Sequence, residues 1–136
     1  MTTERPLVLV VAQSARFLAQ QAVREGYRVR AIDQFNDVDL LNISEQTSGI
    51  ADFSQLNLTA LRQNIAELAG TSPATLLAGT GAEAFYPLFK QLPPQITVAN
   101  NTLDCFQQCH RPEQWFALLQ KLQIPHPETC FEQPSP

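Results

Sequence analysis

The stretch Leu7-Val-Leu-Val-Val-Ala12 decides the fold of this chain. A continuously apolar, β-branched run of this length is typical of a strand that is covered on both faces, as in a parallel sheet. After it, Ser14 is a suitable helix N-cap, and small and apolar residues recur at helical spacing until Gly26. The alternating stretch Arg28–Asp33 predicts a second strand, which completes a β-α-β unit.

Helices and strands alternate along the rest of the chain. Gln34–Ser54 is polar and has no clear period, apart from a possible short helix near Asp39–Ile43 and a possible short strand. Beyond it, the apolar spacing predicts helices at Gln55–Ala69 and Ala82–Gln91 and strands at Ala74–Ala78 and Ile96–Ala99. Two more helices follow: the first ends near Cys109, and the second begins at Pro112. This alternation predicts an α/β domain whose parallel sheet has about four strands, with helices on both faces.

The length of the chain indicates a single domain. With 136 residues, 44% of them hydrophobic, the chain can bury one core and is too short for two ordinary ones. We expect this domain to occupy residues 1–123. The prolines of Ile124-Pro-His-Pro127 and Gln133-Pro-Ser-Pro136 cannot continue a helix, so residues 124–136 are expected to form an extended linker.

Composition argues against two classes of partner. The run Leu7–Ala12 is far shorter than the roughly 20 apolar residues that a membrane-spanning helix needs. The net charge is −4, from 13 acidic and 9 scattered basic residues, which disfavours nucleic acid. We therefore expect a cytoplasmic protein that binds neither a membrane nor nucleic acid.

Ligands of open parallel sheets bind at the carboxyl ends of the strands. Here that rule selects three loops, Gln13–Arg16, Asp33–Asp37 and Gly79–Glu83. The candidate substrate-binding residues in these loops are Gln13, Ser14, Ala15, Arg16, Asp33, Gly79, Thr80, Gly81 and Glu83.

Each candidate has a structural alternative. Arg16, near the start of a helix, could hold a carboxylate or phosphate together with the free helix amides, or it could be a solvated arginine. The glycines of Gly79-Thr-Gly-Ala-Glu83 could admit a ligand beside Glu83, or they could serve only the turn. We expect Arg16 and Glu83 to face one cleft, with the arginine toward an anionic group and Glu83 and Asp33 toward an amine or hydroxyls.

Phosphate-binding loops are missing from the sequence. The turn after the first strand contains no glycine, which disfavours NAD and FAD, and no Gly-Lys-Ser/Thr loop is present for a nucleoside triphosphate. The spacing of Cys105, Cys109 and His110 matches no usual zinc pattern, so buried, inert thiols are favoured over a metal site. We expect no cofactor and no metal in this chain.

The order and spacing of six stretches resemble the amino-terminal (pre-ATP-grasp) domain of ATP-grasp proteins of the carboligase type. These stretches are Val8-Leu-Val-Val-Ala-Gln-Ser-Ala-Arg16, Gly26-Tyr-Arg-Val-Arg-Ala-Ile-Asp33, Asp37-Val-Asp39, Gly79-Thr-Gly-Ala-Glu83, Arg111-Pro-Glu-Gln-Trp-Phe116 and Leu122-Gln-Ile-Pro-His-Pro-Glu128. Two positions depart from the family pattern: Gln123 replaces a common helix-ending glycine, and His110-Arg111 precedes Pro112 where an acid is more usual.

The resemblance implies a three-layer, Rossmann-like domain that binds the acceptor substrate of an ATP-dependent carboxylate-amine ligase. Such enzymes form an acyl phosphate, and the groups that hold ATP and Mg²⁺ belong to later domains. The chain alone would then be inactive, and its partners would be its own carboxyl-terminal ATP-grasp domains and a small-molecule acceptor. Two alternatives from other classes remain, a stand-alone small-molecule-binding module with a flavodoxin-like sheet and a non-catalytic interaction domain.

Overall fold

The computed structural model describes residues 4–131 and contains one sheet of five parallel strands. The strands are β1 (Leu7–Val11), β2 (Arg28–Asp33), β3 (Gln46–Gly49), β4 (Ala74–Ala78) and β5 (Ile96–Val98). The α-helices are α1 (Arg16–Arg24), α2 (Val38–Ile43), α3 (Leu58–Ala69), α4 (Leu103–Cys109) and α5 (Pro112–Lys121). Three short 3₁₀ helices occupy Phe53–Gln55, Ala82–Ala84 and Tyr86–Gln91.

The strand order is β3-β2-β1-β4-β5. This is the order of a Rossmann-like sheet, in which the chain reverses its direction of travel across the sheet between β1 and β4. A flavodoxin-like sheet has its first strand between the second and the third. The flavodoxin-like strand order expected for a stand-alone binding module is therefore wrong for this chain. The predicted α/β class and Rossmann-like architecture are confirmed.

The two faces of β1 define the two halves of the core. Because side chains alternate along a strand, Val8 and Val10 point to one face and Leu7 and Leu9 to the other. The first face packs in a buried cluster with side chains of α1, β2 and α2, among them Ala15, Ala19, Val29 and Leu40. The helix α3 approaches β1 and β2, and buries Leu61, Ile65 and Leu68. The sheet therefore lies between helical layers, as predicted.

The fifth strand is the main difference from the expected count. β3 lies within Gln34–Ser54 and pairs with β2 alone, at one edge of the sheet. Its residues Gln46-Thr-Ser-Gly49 are exposed or half-buried, so they lack the apolar signal that identified the central strands. An edge strand whose side chains are only partly covered does not require apolar residues.

Two helix predictions also need correction. The segment Ala82–Gln91 is not one helix, because its hydrogen bonds close 3₁₀ turns on either side of Phe85. Gln55–Ala69 is shorter as an α-helix than predicted: α3 begins after Asn57, whose side chain accepts the amide hydrogen of Ala60.

The chain consists of two compact units, Met1–Asn100 and Asn101–Pro136, and most contacts between backbone segments lie within one unit or the other. The first contains the sheet and all the buried side chains of the part that the structure describes. The second contains α4 and α5, neither of which has a buried residue. α5 begins at Pro112, as predicted, and Gln123 after it has a φ of +55°, which is the left-handed conformation that glycine favours.

The predicted division into a domain at 1–123 and a linker at 124–136 stays a prediction. Residues 124–131 form no helix or strand, in keeping with their prolines. Residues 132–136, which include all of Gln133-Pro-Ser-Pro136, lie outside the described residues. No helix of residues 4–131 is both long enough and apolar enough to cross a bilayer.

Candidate functional site

The three predicted loops meet at the carboxyl edge of the sheet. The strands β1, β2 and β4 are adjacent and in register, so the loops that follow them start side by side. The amide of Gln13 donates a hydrogen bond of 2.7 Å to the carbonyl of Thr80, and the carbonyl of Gln13 accepts one of 3.3 Å from the amide of Gln34. The loop after β1 is thus joined to the loops on both sides of it.

Asp33 is the buried charge at the centre of this edge. Its side chain is only 1% exposed, although the sequence placed it in a loop that could face a ligand. Oδ2 accepts the amide hydrogen of Ala15 at 2.6 Å, and Oδ1 accepts those of Phe35 and Asn36 at 2.7 and 2.6 Å. Three backbone amides therefore donate to the carboxylate. These hydrogen bonds connect the loop after β1 to the loop after β2.

The start of α1 is organised differently from the prediction. Ser14 is exposed and is not the N-cap; that position belongs to Ala15, whose methyl side chain cannot accept a hydrogen bond. The carboxylate of Asp33, 18 residues away, takes over the capping function by accepting the amide hydrogen of Ala15. Ala15 itself is completely buried, and Gln13 is half-buried, so Ser14 is the most accessible of the three candidate residues.

Arg16 is exposed at the first turn of α1. One of its guanidinium nitrogens lies 3.3 Å from Oδ2 of Asp39 and 3.7 Å from Oδ2 of Asp37, both at the start of α2. The side chain of Arg16 is 47% exposed, and an ion pair of this kind contributes little to stability because water and salt screen it. The guanidinium is consequently accessible to an anionic ligand, which would compete with two carboxylates for it.

Close packing explains why both glycines occur in the loop after β4. A Cβ atom on Gly79 would lie 2.9 Å from the Ala12 methyl and from Cδ1 of Leu18, so only glycine fits between β1 and α1 there. Gly81 has a φ of +86°, and a Cβ atom on it would lie 2.9 Å from the ring of Phe53. The turn thus accounts for both glycines, while Thr80 between them is exposed.

Glu83 is exposed in the 3₁₀ helix after Gly81. Within residues 4–131 its carboxylate makes no hydrogen bond or ion pair, so both of its oxygens are free to accept. The same residues show no contact between Glu83 and Arg16. That the two side chains face one cleft stays a prediction.

A cleft that the sequence did not indicate opens beyond the end of β3. It has a volume of 350 Å³ and is lined by residues 49–52 and 55–57 and by one side of α3. Phe53 separates it from the loop after β4, since this ring packs on Gly81 and its backbone amide donates to Oε1 of Gln34 at 3.3 Å. The polar, aperiodic composition of Gln34–Ser54 gave no signal for this cleft, although Asp52 and Asn57 are residue types that favour caps.

No group of three or more histidine, cysteine, aspartate or glutamate residues is placed to hold an ion in residues 4–131. Cys105, Cys109 and Cys130 are all exposed. The prediction that they are buried was therefore wrong, because the helix α4, which carries the first two, buries none of its residues.

Comparison with known proteins supports the fold. No family model matches the sequence, and no curated protein matches it. A solved structure, the ADP complex of purK, N5-carboxyaminoimidazole ribonucleotide synthetase, has a similar fold, with a TM-score of 0.60 and 16% sequence identity. The similarity covers 92% of this chain and 32% of the synthetase chain. The fold that the resemblance to ATP-grasp ligases implied is confirmed, and the chain spans about a third of the length of this synthetase.

Proposed function

We propose that this chain is the acceptor-binding domain of a longer ATP-dependent ligase, which joins a carboxylate to an amine through an acyl phosphate. The observation that carries the proposal is the fold shared with a synthetase of which the chain spans 32%. A single domain of this fold, without a phosphate-binding loop in its sequence, fits one part of such an enzyme better than the whole.

The proposed acceptor site lies where the strand order reverses, between the carboxyl ends of β1 and β4. Open α/β sheets bind ligands at such positions, because the loops on the two sides diverge and leave a crevice. Here the hydrogen bond from the Gln13 amide to the Thr80 carbonyl connects the loop after β1 to the loop after β4. Ser14 and Thr80 are exposed beside it and supply hydroxyl groups.

Charged groups of opposite sign are available to the acceptor on this edge. The guanidinium of Arg16 suits a carboxylate or phosphate of the acceptor, since Arg16 keeps nearly half of its side chain in solvent. The free carboxylate of Glu83 suits an amine or hydroxyl, to which it would offer a charged hydrogen-bond acceptor. Asp33 acts as a positioning residue, because its three backbone hydrogen bonds fix the loops that carry Ser14 and Arg16.

The remaining parts of the reaction belong to the proposed carboxyl-terminal ATP-grasp domains. ATP and Mg²⁺ would bind there and would provide the phosphoryl group that activates the carboxylate. The acceptor amine would then attack the acyl carbon, so that a C–N bond forms, the C–O bond to phosphate breaks, phosphate leaves with the electron pair, and the amine nitrogen loses a proton to solvent. We propose that the whole enzyme acts in the cytoplasm and that this chain alone has no ligase activity.

The test uses the product of the complete gene and measures acceptor-dependent ADP release. We expect Arg16→Ala and Glu83→Ala each to lower kcat/KM for the acceptor by about 10–100-fold, the effect of losing one charged hydrogen bond, while KM for ATP is unchanged. Arg24→Ala is the matched control, because Arg24 is exposed in the last turn of the same helix, at its far end.

Two results would contradict the proposal. One is acceptor kinetics of Arg16→Ala and Glu83→Ala that equal those of Arg24→Ala. The other is micromolar binding of Mg-ATP to the 136-residue chain in calorimetry, since the sequence contains no glycine-rich phosphate cradle.

A further inference from the structure

The cleft beyond β3 is a second concave surface of the unit Met1–Asn100. It lies between the segment that leaves β3 and the amino-terminal half of α3. Its volume of 350 Å³ is within the range of small-molecule sites, about 300–1,000 Å³. None of the nine residues predicted to bind the acceptor lines it.

Apolar side chains form most of the cleft wall. Ile50, Leu56 and Leu61 line it together with the alanines at 51 and 60. Leu61 is almost completely buried and belongs to the core, so this wall is fixed by the packing of α3. An apolar group of a ligand would be removed from water there, which contributes about 25 cal/mol for each Å² of apolar area buried.

The polar groups of the cleft are oriented by bonds to the protein. Nδ2 of Asn64 donates to Oγ of Ser48 at 2.6 Å, which leaves Oδ1 of Asn64 as an acceptor. Oδ1 of Asn57 accepts the amide hydrogen of Ala60 at 3.0 Å. Oδ1 of Asp52 accepts the amide hydrogen of Ser54 at 2.8 Å. These bonds restrict the side chains before any ligand arrives.

The charge of the cleft is negative. Of the residues 4–131, Asp52 is the one ionisable residue that lines it, and none of the lysines, arginines or histidines in that range does so. Hydrogen bonds from the Ser54 side chain and backbone lower the pKa of the Asp52 carboxyl, so this group is ionised at neutral pH. A carboxylate or phosphate would therefore meet only a like charge, whereas an ammonium group would meet a fixed opposite one.

We infer that this cleft binds a primary ammonium group attached to a small apolar group, with Asp52 as the charge partner and Oδ1 of Asn64 as a further acceptor. The apolar part contacts Ile50 and Leu56. The site does not depend on the proposed ligase function, because its test measures binding to this chain and involves neither ATP nor turnover.

The experiment follows the backbone amides of the ¹⁵N-labelled 136-residue chain by NMR while 3-methylbutylamine is added. The matched probes are 4-methylpentanoate, which carries a carboxylate in place of the ammonium, and 3-methylbutanol, which is neutral. We expect saturable millimolar binding of the amine, with shifts confined to residues 49–57 and 60–64, and weaker binding of the alcohol. The carboxylate is expected not to bind.

Three variants distinguish the cleft from general charge effects. Asp52→Asn keeps a good N-cap residue and should weaken amine binding about fivefold, the effect of one partly exposed ion pair. Ala60→Phe should fill the cleft and abolish binding of all probes, with an unchanged circular dichroism spectrum because Ala60 is exposed on α3. Glu67→Gln is the control, since it removes an exposed carboxylate of the same helix outside the cleft.

The inference fails if the carboxylate binds as well as the amine, or if Asp52→Asn and Glu67→Gln have the same effect. It also fails if the amine produces no saturable shifts in the parent chain. Loss of acceptor kinetics in the Arg16→Ala enzyme has no bearing on these results, so the two proposals can fail separately.

Discussion

The helices α3 and α5 belong to different units and have the same kind of apolar stripe. In α3 the stripe is buried, and Ile65 is 0% exposed. In α5 the stripe is formed by Trp115, Leu118, Leu119 and Leu122, and Leu118 is 40% exposed. Helical periodicity thus predicts the presence of a helix and the direction of its apolar face, whereas the burial of that face depends on which other elements pack against it.

The two units also differ in how their polar groups are used. In the unit Met1–Asn100, Asp33 is buried and joins loops that are distant in sequence. In the unit Asn101–Pro136, Asp104 is an exposed residue in the first turn of α4. Substitutions of the same type in the two units should therefore have very different effects on the free energy of unfolding.

Asp33→Ala is expected to have the largest effect. It leaves the buried amide of Ala15 and the part-buried amides of Phe35 and Asn36 without their acceptor, and a donor that is fully buried and unsatisfied costs about 1–3 kcal/mol. Urea denaturation followed by circular dichroism should show a loss of about 3–6 kcal/mol, or a chain that no longer folds. Asp104→Ala should cost less than about 1 kcal/mol. Equal losses of unfolding free energy in the two variants would contradict the structural role assigned to Asp33.

Ile65→Ala and Leu118→Ala compare the two stripes directly. Deleting the side chain of a fully buried isoleucine costs about 2–5 kcal/mol, because it loses burial and leaves a cavity. The same truncation at the exposed Leu118 should cost less than about 1 kcal/mol. The measurement is again the unfolding free energy in urea, and a cost for Leu118→Ala as large as that for Ile65→Ala would break the comparison.

The smallest effect is expected from the ion pairs at the amino end of β2. Nε and Nη2 of Arg28 donate to the two carboxylate oxygens of Glu45 at 2.7 and 3.0 Å, and Arg28 also pairs with Glu4. The side-chain hydrogen bonds from Arg28 lower the pKa of the Glu45 carboxyl from its usual 4.5. A group whose pKa is lower in the folded state stabilises the protein above its unfolded pKa, and this contribution is lost as the pH falls through the folded value.

Glu45→Gln should therefore lower stability slightly at neutral pH and reduce the loss of stability at pH values below 4.5. The measurement is the urea midpoint as a function of pH. The control is Glu113→Gln, which removes an exposed carboxylate in the first turn of α5. If both variants keep the acid dependence of the parent chain, the pairing of Glu45 with Arg28 has no energetic effect.

The central strands, and the edge of the sheet at which the candidate site lies, could be predicted from local patterns of residue types. Leu7–Val11 is apolar because both of its faces are covered, so its composition shows its central position in the sheet. Ala74–Ala78 is apolar except for Thr75, and its residues are buried or half-buried. The loops that follow β1, β2 and β4 could be named in advance, because all parallel strands end at the same edge. The cap of α2 by Asp37 and the pairing of the Phe85 and Phe89 rings are likewise local in sequence.

Other features of this edge depend on contacts between residues that are distant in the sequence. β3 has no apolar pattern, and only its pairing with β2 makes it a strand. Asp33 caps α1 in place of Ser14, because the register of β1 and β2 brings its carboxylate to the Ala15 amide. The cleft around Asp52 exists because β3 and α3 enclose it. These features depend on contacts between segments far apart in the chain, which no local pattern of residue types contains.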